Sequence, residues 1–169
     1  MSGKSISWKD YIPVTIVCIL FFSQIVVGIY LLSNISQNTI LAYIGVGLYA
    51  FSGIFFGILP IMEFRRKGGV KKGTSYVKTT KLVDSGIYSI VRHPQFVTFI
   101  MWAIAGILLF QHWIIIMLGI PIIALTYFDM IRADKVLIEK FGEDYKAYMK
   151  RVPRANFLLG IIGRLRQRT

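Results

Sequence analysis

The chain has 169 residues, 55% hydrophobic and only 17% charged, with a formal net charge of +12 and a mean hydropathy of +0.61. That balance excludes an ordinary soluble domain of this size and points to an all-α integral membrane protein, a single membrane domain over residues 1–169. The positive charge does not call for nucleic acid: the 20 Lys and Arg residues flank apolar runs, beside anionic headgroups, where each is worth roughly 1 kcal/mol.

In chain order, the N-terminus has the basic flank of a signal peptide. The apolar run behind it is too long for one and lacks a small-residue cleavage site, so it is expected to remain as the first span. Runs of roughly 18 or more uncharged residues cross a hydrocarbon core of about 30 Å. Ile12–Leu32 and Ile40–Met62 qualify, and residues 12–62 read as two scaffold spans. Gln24 and Tyr49 are their conspicuous polar side chains, each a candidate interhelical hydrogen bond. Gly53 and Gly57 have the spacing that lets helices approach closely. Cys18 is the single cysteine and lies mid-span, so neither a disulfide within the chain nor a metal site is expected. Asn34-Ile35-Ser36 has the form of a glycosylation acceptor and carries no further argument.

The segment Glu63 to Asp84 is polar and glycine-rich, and a non-helical loop is expected there. Within it, Arg65 to Gly73 reads as a headgroup contact, and Gly86 is expected to supply a turn. Proline is favoured at the first helical position, so a third helix is expected to begin at Pro94. Phe96–Phe110 and Trp113–Phe128 are together too long for one crossing, and a tight hairpin at Gln111 and His112 makes them two, for about four transmembrane helices in all. The fourth runs on as an amphipathic extension to Phe141 and Gly142. A further piece, Glu143 to Arg151, is expected to rest Tyr145, Tyr148, Met149 and Val152 on the membrane. All 20 basic residues fall in the N-terminal tail, between Glu63 and Arg92, or after Met130. The positive-inside rule then places both termini in the cytoplasm.

Two places carry chemistry. Arg92 and His93 stand just outside the positive end of the third helix, a cationic pocket suited to a carboxylate or phosphate. The plainer alternative is that Arg92 reaches for the interface and His93 caps the helix. Asp129 and Asp134 lie at the membrane boundary, where an unpaired acid is costly, so each needs a cation such as Arg132 or a ligand.

Taken together, Gly86-Ile87-Tyr88, Arg92-His93-Pro94-Gln95-Phe96, the apolar hairpin, and Phe141-Gly142-Glu143-Asp144-Tyr145 with Tyr148 and Val152-Pro153 resemble the C-terminal core of the isoprenylcysteine carboxyl methyltransferase family. The phospholipid methyltransferases are similar in the same region. The likeness covers residues 80–154. It implies a membrane enzyme that binds S-adenosyl-L-methionine at the cytoplasmic face and methylates a lipid-like or prenylated acceptor reached from the bilayer, most readily at a carboxylate. It also implies a cofactor site at Tyr88, Arg92, His93, Pro94, Phe96, Asp134 and Tyr145. Arg92 and His93 would hold the methionine carboxylate, and Asp134 would accept from amino or hydroxyl groups. Arg132, beside Asp134, is the candidate catalytic residue that orients an anionic acceptor.

Three positions depart from the family pattern. Phe96 stands where a Tyr is common, Ala133-Asp134 replaces a pair of glutamates, and the second proline after Val152-Pro153 is absent. The same C-terminal pattern is similar to membrane sterol reductases, which implies NADPH as an alternative cofactor. The alanine at 133 leaves open a third reading, a non-catalytic membrane scaffold.

Overall fold

The structure, a computed structural model, describes residues 12–32, 37–69 and 80–166. The expectations for the N-terminal tail, the glycosylation-like triplet and most of the loop after Gly69 lie outside the described residues. Among the described residues there are five helices: α1 (Ile12–Leu31), α2 (Thr39–Lys67), α3 (Pro94–Phe110), α4 (Trp113–Arg151) and α5 (Phe157–Arg166). No strand occurs among the described residues. Three of the helices, α1, α2 and α4, are long and apolar enough to cross a membrane, and α3 is a shorter apolar helix of 17 residues. The protein is an integral membrane protein, with side chains such as Phe22, Ile29, Tyr43 and Met117 turned outward as only lipid would tolerate.

α3 is the central element. It packs against α1, α2 and α4, and α1 also packs on α4. Small residues make that possible: Ala103 and Ala105 on α3 are fully buried. At Gly45 of α2 the two backbones come close together, and a Cβ there would stand 2.8 Å from the Ala105 carbonyl oxygen and 2.9 Å from the Leu109 amide. Gly53 and Gly57, the pair singled out from sequence, sit over Trp102 and Thr98 at looser distances of 3.4 and 3.8 Å. Gln24 is completely buried, and its Nε2 donates to the carbonyls of Ala103 and Ile115 at 3.2 Å each, joining α1 to α3 and α4. Tyr49 takes part through its backbone, whose carbonyl accepts from the Trp102 indole at 3.1 Å.

Local chemistry sets the helix ends. Pro94 opens α3, and Gln111 closes it in the left-handed conformation with φ of 48°. The Gln111 amide exchanges two 2.9 Å hydrogen bonds with the backbone of Asn38, which itself caps α2. His112 Nδ1 then accepts from the Ile114 amide and starts α4, so the tight hairpin is present. Inside α2, Gly53–Ile58 widens into a π-helical turn just before Pro60. The wider turn accommodates a proline ring that would otherwise meet the carbonyl four residues back.

Two expectations need correction. The second helix does not stop at Met62 but continues to Lys67. Glu63 pairs with Lys67 at 2.6 Å and with Arg66 at 3.6 Å along the helix, and the basic residues of that last turn complement its dipole. Tyr145, Tyr148 and Val152 do not rest on the membrane. They are buried in the protein against Leu82, Leu137 and Phe141. Gly142, with φ of 59° and ψ of −131°, kinks α4 there, and the last turns fold back onto the chain. At about 1.5 Å per residue the part of α4 before Gly142 spans roughly 44 Å, well over a hydrocarbon core of about 30 Å, so its C-terminal part must leave the membrane.

The contrast between two glycines of α2 tests this packing. Gly45→Ala is expected to destabilise the protein by about 1–3 kcal/mol, since the added methyl meets backbone. A Cβ at Gly47 meets nothing within 4 Å, and Gly47→Ala is expected to be neutral or stabilising by up to about 1 kcal/mol. Equilibrium unfolding in detergent measures both.

Candidate functional site

The site forms where the start of α3 meets the far end of α4. The turn Gly86–Ser89, entered through Gly86 with φ of 61°, delivers the chain to Arg92 and His93. His93 precedes a proline and is held out of the helical region. Its extended segment pairs with the chain after α4: the Arg92 amide donates to the Pro153 carbonyl at 3.0 Å and the His93 amide to the Arg154 carbonyl at 3.3 Å. Tyr148 adds a third tie, its hydroxyl donating to the Tyr88 carbonyl at 2.5 Å.

At the centre lies the carboxylate of Asp134, which is 3% exposed. Oδ1 accepts from Arg92 Nη1 at 2.8 Å and from the Tyr145 hydroxyl at 2.7 Å, and lies 2.7 Å from His93 Nε2. Oδ2 accepts from Arg154 Nε at 2.7 Å. All four partners favour the ionised carboxylate. In return, the hydrogen bond to Asp134 holds the Arg154 guanidinium above its ordinary range, against an opposing push from burial. The Arg92 guanidinium also stands over the Tyr145 ring, 6.0 Å from its centroid.

The structure therefore brings together Arg92, His93, Asp134 and Tyr145 of the residues singled out from sequence. The first carboxylate that Arg92 and His93 meet is Asp134 itself. Pro94 is buried at the first position of α3, and Phe96 packs edge-on against the His93 ring at 5.7 Å, supporting it from the apolar side. Tyr88 is buried with its ring against Phe64 and lines a small hollow of about 40 Å³ together with Arg92, Phe141 and Tyr145. Arg132 does not join the group. Its side chain is exposed, and its nearest acid is Asp129, 3.8 Å away.

Two contributors stand outside the site residues expected from sequence: Arg154, and Tyr148, which belongs to the family-like motif but was expected to rest on the membrane. A signal for Arg154 existed, since Asp134 required a cation and Arg154 directly follows Val152-Pro153, but the fold-back that joins them is not a local property of the chain.

The model of the isoprenylcysteine carboxyl methyltransferase family matches residues 71–139, a stretch that includes Arg92, His93 and Asp134. In this segment the chain is similar to that family. A protein-S-isoprenylcysteine O-methyltransferase of Schizosaccharomyces pombe is 33% identical over 73 residues, covering 43% of this chain and 31% of the relative. Its namesake in Saccharomyces cerevisiae is 37% identical over 82 residues, covering 45% of this chain and 34% of the relative. The chain thus spans about a third of the length of these curated relatives. No solved structure matches it significantly.

The Asp134 cluster predicts a sharp contrast between two neighbouring positions. Asp134→Ala leaves the buried Arg92 without its partner and is expected to cost about 3–5 kcal/mol. Arg132→Ala, at an exposed position, is expected to change stability by less than about 0.5 kcal/mol. Denaturant unfolding of the two variants in the same detergent checks the difference.

Proposed function

We propose that the protein is a membrane methyltransferase that uses S-adenosylmethionine and acts on a lipid-like acceptor, with a prenylated cysteine carboxylate as the leading acceptor class. The observation that carries this reading is the junction of Arg92, His93 and Asp134, all within the family-matched segment, in one buried cluster beside an aromatic hollow. The proposed topology has four spans, with α3 as the short one, and with both termini and the Asp134 cluster on the cytoplasmic side. The concentration of basic residues at that end supports it.

The residues present fit the cofactor in kind. Arg92 Nε is buried with no hydrogen-bond partner, a donor ready for an anion, and Arg92 lines the hollow. The rings of Phe64, Tyr88, Phe141 and Tyr145 offer faces for a nucleobase and for a positively charged sulfur. A volume of about 40 Å³ is well below the roughly 300–1,000 Å³ of small-molecule pockets, so side chains around the hollow must move to admit it. When bound, S-adenosylmethionine supplies an electrophilic methyl group.

The chain's own residues bind, orient and shield. Arg92 neutralises the carboxylate of the cofactor's amino-acid part, and His93 and Tyr145 keep Asp134 aimed at its amino or hydroxyl groups. Leu82, Leu137 and Phe141 exclude water. A carboxylate acceptor attacks without giving up a proton, so no general base is required. Arg132, exposed near the end of the membrane-crossing part of α4, is free of the Asp134 cluster and available to orient an incoming anionic acceptor.

Isothermal titration of S-adenosylhomocysteine into the detergent-purified protein, with NADPH as comparison, tests the cofactor. Saturable adenosyl binding that weakens at least tenfold in Arg92→Ala is expected. Binding of NADPH in place of the adenosyl ligand would move the answer to a reductase, and binding of neither would favour a scaffold. The acceptor is tested with labelled methyl groups and a farnesylated cysteine. Transfer is expected when the carboxylate is free and is expected to vanish when it is amidated.

A further inference from the structure

A second hollow lies across Tyr148 from the first, and most of its wall comes from beyond the family-matched segment. Asp84, Ser85 and Ser89 approach from the turn before α3, Arg151 from the end of α4 and Arg164 from α5, enclosing a cavity of about 250 Å³. Tyr148 borders both hollows. With its hydroxyl tied to the Tyr88 carbonyl, it is a fixed partition.

The cavity's chemistry is that of an anion site. Two guanidiniums face one carboxylate, while the serine hydroxyls are spent on the protein itself, Ser85 donating to Glu63 Oε1 at 3.4 Å and Ser89 to the Gly86 carbonyl at 2.6 Å. Arg151 Nη2 lies 3.4 Å from Asp84 Oδ2, well beyond the roughly 2.7–2.9 Å of a strong charge-assisted hydrogen bond, so Asp84 does not saturate it. Arg164 is pre-oriented: its Nη1 donates to the Gly86 carbonyl at 3.1 Å and to Ser89 Oγ, leaving the rest of the planar donor fork at the cavity wall. α5 is fixed there too, because Gly160 lies directly against the Ile90 carbonyl, where no Cβ fits, and Phe157 packs on Phe56.

The position of α5 sets the depth of the cavity. Leu158, Leu159 and Leu165 are exposed on a helix that also carries Arg164 and Arg166, the pattern of a helix lying in the membrane–water interface. A cavity walled by such a helix stands at the level of phospholipid phosphates.

We infer that this cavity is a phosphate site, in which Arg151 and Arg164 clamp a phosphate group. The phosphate belongs to a phospholipid headgroup or to a soluble phosphate compound. The inference does not rest on methyl transfer and would stand if that reading failed.

The test is direct binding to the whole protein in neutral detergent. Inorganic phosphate is titrated by calorimetry, and dioleoylphosphatidylglycerol binding is counted by native mass spectrometry. One saturable equivalent is expected, weakened about tenfold in Arg151→Gln and in Arg164→Gln by loss of a charge-assisted pair. Lys146→Gln, at an exposed position of α4 where the ammonium pairs only with Glu143 among the ion pairs described, is expected to leave it unchanged. Arg151→Gln guards against misfolding of the Arg164 variant, since Arg151 makes only the long contact to Asp84 among the hydrogen bonds described. Lipid binding without binding of inorganic phosphate supports the site with a membrane source, and the reverse supports it with a soluble one. Saturable binding of neither would overturn the inference. So would equal weakening by Lys146→Gln, which would show diffuse attraction, or an Arg151→Gln effect on S-adenosylhomocysteine alone, which would assign the cavity to the cofactor.

Discussion

A buried carboxylate cannot stand alone at the edge of a membrane, and the organisation of this protein's basic end follows from how Asp134 is satisfied. Its two oxygens draw partners from three separate stretches: Arg92 and His93 before α3, Tyr145 after the kink of α4, and Arg154 beyond Pro153. Removing the carboxylate would leave Arg92, His93 and Tyr145 buried without that partner, while Arg154 would keep only its contact with the Tyr127 hydroxyl among the hydrogen bonds described. Gly142 takes its positive φ so that Tyr145 can turn back, and the paired backbones of 92–93 and 153–154 hold the two cationic segments at the right separation. Helix packing far away at Gly45 and Gln24 fixes where α3 starts. The carboxylate fixes what gathers around that start.

The family-matched stretch holds Arg92, His93 and Asp134 but not Tyr145 or Arg154. Half of the donors on the central carboxylate thus come from the chain that follows it. The same holds for the second cavity, whose arginines lie on the end of α4 and on α5. Tyr148 binds the two hollows into one unit, since a shift of its ring to admit a cofactor would be felt at once on the other side. This continuity gives α5 a mechanical connection to the Arg92-His93 turn through Arg164 and Gly86.

Much of this was legible in the sequence where the signal is local. Apolar runs announced the long helices, Pro94 announced the start of α3, and Gln111-His112 announced the hairpin. Gly142 announced the break in α4. The extension of α2 to Lys67 was hidden because glycine-rich flanking sequence masked the Glu63–Lys67 pairing that keeps the last turn helical. The burial of Tyr145 and Tyr148 was read as membrane contact because an apolar face looks the same whether protein or lipid covers it, and only the direction of the kink decides. Arg132 looked like the partner of Asp134 from its position in the chain. On a helix the two residues point about 200° apart, and the partners came instead from residues 20 and 42 positions away. α5 is short and follows a break, so its length gave no membrane signal.

The claim that Asp134 is the organising group is tested most directly by a double-mutant cycle on Arg92→Gln and Asp134→Asn, read by equilibrium unfolding in detergent. Strong coupling, above about 1.5 kcal/mol, is expected, with the double variant losing far less than the sum of the singles. Additivity to within about 0.5 kcal/mol would show that the two side chains act independently and would contradict the account.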